Sequence, residues 1–306
     1  MKYVPFWEGR LVDRQVQSSD GVNITYQSLG EGTDKVIAVA NGLGGRLYTW
    51  EPLIRKVWPE YRIITWDYRG LFDSDDRATV RRLAINNHAE DLHCILEAEG
   101  ISRVSAVVGW SMGVQVALEF AALFPEEVEK LVLINGTYGH ALATGFQPIF
   151  RIPYMNEALH GLIEFLHGRR SVSRFTKDVL LARPIVSLLG MSYSLITGNR
   201  QVKYALAQYL EDVFGHSFDN YLRLFQELDA HSTYHHLRDI GHPVLVVWGT
   251  LDPLTPAYLS KRLVRRLPNA QKMRVLFGTH FVLLEHPEKV PNRILRFLKT
   301  FVPEPA

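Results

Sequence analysis

The stretch VSAVVGWSMGVQVALEF, from Val104 to Phe120, decides how this chain is read. Its first part, Val104 to Val108, is apolar and valine-rich, the composition of a strand buried on both faces. Its second part sets Val114, Ala117, Leu118 and Ala121 on one helical face. Ser111, inside Gly109-Trp110-Ser111-Met112-Gly113, therefore stands where a strand turns sharply into a helix. So tight a turn strains the middle residue's backbone and admits only small neighbours, which Gly109 and Gly113 supply. Such a serine is either a reactive nucleophile or a small polar turn residue, and the pentapeptide alone does not choose.

Outward from that stretch the same rhythm repeats. KVIAVANG (35–42), RIITWD (62–67), RVSAVVG (103–109), KLVLING (130–136), PVLVVWG (243–249) and KMRVLFG (272–278) are short apolar runs ending in Gly, Asp or Asn. Helical patterns separate most of them: NHAEDLHCILEAEG, SMGVQVALEFAALFP, AYLSKRLVRRLP and PEKVPNRILRFLKTF. Alternation of this kind predicts an α/β fold, a mostly parallel central sheet flanked by helices. RQVQSSDG and VNITYQSLG alternate apolar and polar residues and predict an antiparallel hairpin on one sheet edge. Between KLVLING and PVLVVWG the rhythm breaks, and only helical patterns such as NEALHGLIEFLHG, QVKYALAQYLEDVFG and FDNYLRLFQELD occur. An insertion there, at a strand's C-terminal end, is placed to form a helical lid over the crevice where open parallel sheets bind ligands. The expected division is a core over 1–138, a lid over 139–240 and the rest of the core over 241–306.

Composition narrows the class. The 306 residues are 47% hydrophobic and 22% charged with a net charge of +2, an ordinary globular balance without a nucleic-acid footprint. The single cysteine, Cys94, excludes an intramolecular disulfide and a cysteine-rich metal site, and its apolar helical setting predicts a buried, inert thiol. MKYVPFWEGRLVDRQV has no apolar signal core, and the most apolar window, ARPIVSLLGMSYSLITG (182–198), is short and interrupted by Arg183 and Pro184. A cytoplasmic protein without stable membrane insertion is expected. A homodimer is left open.

A serine hydroxyl attacks well only when a base takes its proton and the base is held in the right tautomer. Asp252 follows PVLVVWG in the turn GTLDPLTP, and His280 follows KMRVLFG in the turn GTHFVLLEHPE. Parallel strands put their C-terminal ends on one side, so these turns can converge on Ser111. Asp239 precedes its strand, and His286 falls in the helix-start pattern EHPEKV, which makes both poor substitutes.

The chain order Ser, Asp, His on strand ends resembles the α/β-hydrolase superfamily, in its lid-bearing branch, from roughly Gly30 to Phe301. DYRGLFDSD (67–75) resembles the family's Asp-x-Arg-Gly-x-Gly-x-Ser segment, with Phe72 at the second glycine, and NHAEDLHCIL resembles the helix leading into the nucleophile strand. The resemblance implies a carboxylic-ester hydrolase with Ser111 as nucleophile, His280 as base and Asp252 as its orienting acid, needing no cofactor or metal. It implies oxyanion donors at the Met112 and Leu43 backbone N–H groups, with Gly44 as the alternative to Leu43. Asn41 of NGLGG stands where the family commonly has histidine. Trp110, Gly42 and Phe281 are the candidate substrate contacts, although Trp110 reads equally as core. The apolar lid stretches TGFQPIF, IPYM and IVSLLGMSY suggest a small-molecule ester with an apolar acyl or alcohol group.

Other outcomes stay open. Serine at the nucleophile position separates the chain from the aspartate-bearing haloalkane dehalogenase and epoxide hydrolase relatives. A carbon–carbon bond hydrolase and an acyltransferase would use the same triad, and a non-catalytic ligand receptor would use the same fold. HSTYHH (231–236) carries three histidines without a matching carboxylate spacing, so a solvated or interhelical role outweighs metal binding. HGRRSVSRFTK (167–177) reads as a solvated helix end, ahead of docking to an acyl carrier protein or an acidic head group.

Overall fold

The computed structural model describes residues 7, 9–30, 33–75, 80–145, 157, 158, 160, 161, 164, 165, 205, 208, 209, 212 and 218–300. The hairpin pairs β1 (Leu11–Gln17) with β2 (Asn23–Leu29), antiparallel. The remaining strands are β3 (Val36–Ala40), β4 (Arg62–Trp66), β5 (Ala106–Trp110), β6 (Leu131–Ile134), β7 (Val244–Gly249) and β8 (Ala270–Val275). The sheet order is β1-β2-β4-β3-β5-β6-β7-β8, and every pair beyond the β2–β4 junction is parallel. The chain lays β4 on one side of β3 and β5 on the other, so a crevice opens beyond the ends of β3 and β5.

Successive residues of the central strands feed opposite faces. Ile37, Val39, Val108 and Val132 pack with α1 (Glu51–Val57) and with α7 (Lys289–Lys299). Ala38, Ala40, Val107 and Leu131 pack with α2 (Ile85–Ala98), α3 (Met112–Leu123) and α6 (Ala257–Arg266). Burial on both sides is why these strands read as continuous apolar runs. Between β6 and β7 the described helices are α4 (Ala141–Thr144), the helical positions 157, 158, 160, 161, 164, 165, 205, 208, 209 and 212, and α5 (Phe218–Ala230), and Gly139 forms an isolated bridge with Ser232. HGRRSVSRFTK and ARPIVSLLGMSYSLITG lie outside the described residues.

Two expectations need correction. KMRVLFG is not a buried strand through Gly278: β8 is the sheet edge, Lys272 and Arg274 are exposed, and pairing ends at Val275. Leu276 and Phe277 then leave the ladder, with the Phe277 N–H donating to Thr250 Oγ1 at 2.9 Å. Charged residues on such an edge discourage pairing with another chain. Cys94 is only partly buried, although that burial still pushes its thiol pKa up.

The segment after β4 is held by charge. The Arg69 guanidinium, 1% exposed, donates to Asp91 of α2 at 2.7–3.0 Å, to Asp20 at 2.7 Å and to Ser18 at 2.8 Å. This ties DYRG to the helix before β5 and explains why both stretches carried the resemblance. Phe72 adopts φ 53°, the backbone that glycine usually supplies there, and the Arg46 guanidinium lies 4.6 Å from its ring centroid. Arg46 also donates to Asp67 at 3.0 Å and Asp73 at 3.0 Å. Burial pushes the Asp67 carboxyl up to about 6, with Arg46 pulling the other way.

Two consequences follow for stability. A Cβ on Gly113 would lie 2.6 Å from the Ala40 carbonyl carbon, so Gly113→Ala should lower unfolding free energy by about 3 kcal/mol in urea titration; a change within experimental error would contradict the packing. Between about pH 4 and 6 the folded protein keeps a proton on Asp67 that the unfolded chain has released, so this group's contribution to stability falls as pH rises. Asp67→Asn abolishes that titration, and its stability relative to wild type should rise by about 2 kcal/mol between about pH 4 and 7. A pH-independent difference would show that Asp67 titrates normally.

Candidate active site

Ser111 closes β5 and opens α3 with φ 57° and ψ −115°. The strain is sustained because nothing larger than glycine fits beside it. A Cβ on Gly109 would lie 2.5 Å from the Gly113 carbonyl carbon, and one on Gly136 would lie 2.7 Å from the Ser111 carbonyl oxygen. The Ser111 N–H donates to the Ile134 carbonyl at 3.0 Å, which seats the turn on the end of β6.

The three sequence-predicted chemical groups meet here. His280 Nε2 is 3.0 Å from Ser111 Oγ, and His280 Nδ1 is 2.9 Å from Asp252 Oδ2. Asp252 and His280 are both buried, at 5% and 6% exposure. Burial alone would raise the Asp252 carboxyl pKa, but electrostatic attraction to His280 and hydrogen bonds from His280, Asn135 and Thr255 hold it below the usual range. Asp252 Oδ1 accepts from the Leu254 N–H at 2.9 Å and the Thr255 N–H at 3.0 Å; Oδ2 accepts from Thr255 Oγ1 at 2.5 Å and Asn135 Nδ2 at 2.5 Å. An ionised carboxylate so surrounded favours an Nδ1–H histidine, leaving Nε2 to accept from Ser111.

The histidine backbone is clamped as well. Trp110 Nε1 donates to the His280 carbonyl at 2.9 Å. The preceding residue, Thr279, donates its N–H to Glu285 Oε2 at 2.8 Å and its hydroxyl to Glu285 Oε1. Asn135 Nδ2 also donates to the Thr279 carbonyl at 3.0 Å, so one amide bridges the acid and histidine turns. Asn135 and Glu285 did not emerge from the sequence. Asn135 was visible only as the polar end of KLVLING, and its φ of 44° and its bridging need the folded strand ends.

The loop after β3 faces the same crevice. The Asn41 side chain is fully engaged: Nδ2 donates to Thr65 Oγ1 at 3.0 Å and to the Trp66 carbonyl at 3.1 Å, while Oδ1 accepts from Trp50 Nε1 at 2.7 Å. Gly45 N–H closes a turn onto the Gly42 carbonyl at 2.8 Å. A Cβ on Gly113 would also come within 2.9 Å of the Asn41 carbonyl oxygen, which places the start of α3 against this loop. Neither the Leu43 nor the Met112 N–H donates to any group among the described residues.

A recess is lined by Thr49, Trp50, Trp110, Phe281, Leu283 and Leu284. Trp110 and Phe281 flank the His280 ring at centroid separations of 5.4 and 5.8 Å. Trp110 is thus both buried and part of the wall. Gly42 is not in the lining; it makes room for Trp110, whose Cε3 would lie 2.5 Å from a Cβ there. The polar atoms of the wall are committed elsewhere, Thr49 Oγ1 to the Arg46 carbonyl at 2.8 Å and the two indole N–H groups as described.

Among the described residues no group of three or more His, Cys, Asp or Glu side chains is placed to hold a metal ion, and no helix is long and apolar enough to cross a membrane. His231 of HSTYHH instead reaches α3, with Nδ1 2.6 Å from Gln115 Oε1 and Nε2 3.1 Å from Glu119 Oε2.

Comparisons with known proteins agree with this architecture. RutD of Caulobacter segnis, whose name gives carbamate hydrolysis as a provisional assignment, is 26% identical over 267 residues, covering 87% of this chain and 91% of its own. RutD of Escherichia coli O17:K52:H18, named in the same way, is 27% identical over 268 residues, covering 87% and 88%. A solved hydrolase from Pseudomonas aeruginosa PA01 superposes with a TM-score of 0.74 at 19% identity, over 94% of this chain and 98% of that one. An esterase from Exiguobacterium antarcticum superposes with a TM-score of 0.72 at 18% identity, over 94% and 100%. These two structures share the fold. A sequence model of the alpha/beta hydrolase fold family matches residues 35–287, and the chain belongs to that family of hydrolases.

Proposed function

We propose that this protein is a serine hydrolase of carboxylic esters that carry an apolar acyl or alcohol group. The observation that supports it best is the continuous relay from Asp252 Oδ2 through His280 to Ser111 Oγ, at 2.9 and 3.0 Å. Ser111 Oγ attacks the acyl carbon while its proton passes to His280 Nε2. The Leu43 and Met112 N–H groups hold the oxyanion. Collapse expels the alcohol, which takes the proton from Nε2. Water then attacks the acyl-enzyme, His280 accepts its proton, and Ser111 leaves with that proton restored.

Carbamate hydrolysis is the second reading, favoured by the names of the curated relatives. It needs the same attack on an acyl carbon, so the triad does not separate the two. The recess supports the ester reading: its polar atoms are already bonded within the protein, which suits an apolar substituent better than a small polar one.

Wild-type protein should hydrolyse p-nitrophenyl esters with a preference for short to medium acyl chains over a small carbamate, read as kcat/KM across a chain-length series. Ser111→Ala should abolish turnover, and Asp252→Asn should lower kcat by about 10⁴-fold with little change in KM, because an Asn there stabilises the wrong histidine tautomer. Carbamate turnover exceeding that of every ester would replace the ester reading. Ester turnover that survives in Ser111→Ala would remove the nucleophile.

A further inference from the structure

Three positions that the sequence assigns to the lid meet the loop after β3. Ala205, Tyr209 and Asp212 are each helical and fall at i, i+4 and i+7, the spacing that repeats along one side of a helix. All three address Leu43–Tyr48. Ala205 packs in a small apolar cluster with Leu284, against which Tyr48 and Phe281 lie. The charge of buried Asp212 acts on Arg46 and on the buried Tyr48 phenol, and Gln208 Nε2 donates to Asp212 Oδ1 at 3.1 Å. Between them, the Tyr209 hydroxyl donates to the Leu43 carbonyl at 2.8 Å. Its ring is seated edge-on to Trp110 at 6.1 Å and to Phe281 at 5.8 Å, so the hydroxyl cannot swing away without leaving that aromatic nest.

From this juxtaposition we infer that Tyr209 is a positioning residue for the oxyanion-binding loop. The inference rests on the serine-hydrolase reading of the site. The reason is local geometry. Leu43 and Gly44 are the central residues of a turn closed by Gly45 N–H to the Gly42 carbonyl, and Gly44 holds φ +74°. Tyr209 is the group that bonds the Leu43 carbonyl among the described residues, so it fixes the peptide on one side of Leu43 while Asn41 fixes the chain just before it. An N–H donor is effective only when it is aimed where charge develops, and a loop free to tilt loses part of that effect. Tyr209 touches no reacting atom. It acts through Leu43, and it couples the placement of Ala205, Tyr209 and Asp212 to the catalytic loop rather than to the walls alone.

The test uses the full chain and its Tyr209→Phe variant, which keeps the ring and removes only the hydroxyl. Ester kinetics, the thermal midpoint and the inhibition constant of an alkyl trifluoromethyl ketone are measured together. That ketone adds Ser111 Oγ to its carbonyl carbon, passes the serine proton to His280 and leaves an oxyanion in the hole. Tyr209→Phe should lower kcat by about 10- to 100-fold, less than deletion of a donor itself. It should weaken ketone inhibition by a similar factor, and leave KM within about twofold and the midpoint within a few degrees. Replacing Tyr209 with p-aminophenylalanine, which returns a donor to the same place, should recover most of the loss. Unchanged kcat and ketone affinity in Tyr209→Phe, or a raised KM with kcat intact, would overturn the inference and leave Tyr209 as a wall. A wild type that turns over no ester and does not bind the ketone would overturn the hydrolase reading and this inference with it.

Discussion

The rest of the site depends on how closely backbone passes backbone at the β5–α3 turn. Gly109 lies against the Gly113 carbonyl, Gly113 against the end of β3, and Gly136 against the Ser111 carbonyl. Three segments are thereby pressed together, backbone on backbone at Gly109 and Gly113, with the Val114 side chain filling the space at Gly136. Because they cannot separate, Ser111 is held at φ 57° with its hydroxyl above the sheet edge, and the Asn41–Arg46 loop is brought beside the first turn of α3. Strain of this kind survives only where the surroundings over-determine it, and here the surroundings are the hydrogen-bonded ends of β3, β5 and β6.

Around that fixed point the other two groups are adjusted by hydrogen bonds. Asp252 is buried, which opposes its charge, yet four donors besides His280 are aimed at its two oxygens and keep it ionised. His280 has its ring held by Asp252 and its backbone by Trp110, with Glu285 and Asn135 holding the residue before it. Trp110 links the two halves, since it precedes Ser111 in sequence, caps the His280 carbonyl and forms part of the apolar wall. A proposed nucleophile, base and acid on three different strand ends are thus positioned by one shell of side chains.

Much of this was legible in the sequence because burial on both faces leaves a plain signature. The central strands, the hairpin and the turns holding Ser111, Asp252 and His280 follow from apolar runs that stop at Gly, Asp or Asn. What was not legible depends on neighbours distant in the chain. KMRVLFG resembles a core strand by composition, but its place at the sheet edge is decided by topology, and so Phe277 ends up exposed. Asn135 looks like any strand terminus until β7 and the Thr279 turn are laid beside it. Gly42 is adjacent in sequence to the proposed donor, yet its missing side chain serves Trp110. Tyr209 lies among many aromatics between β6 and β7, and nothing in its immediate sequence marks it as the one that reaches Leu43.

Fold membership alone does not choose among ester, carbamate and other acyl substrates, so the central claim is the activation of Ser111. It is tested most directly by intact-protein mass spectrometry after exposure to a fluorophosphonate, with peptide mapping of the product. The account expects one adduct per chain, on the peptide that contains Ser111, and none on Ser111→Ala. A folded wild-type protein that stays unlabelled, or an adduct that persists in Ser111→Ala, would contradict it.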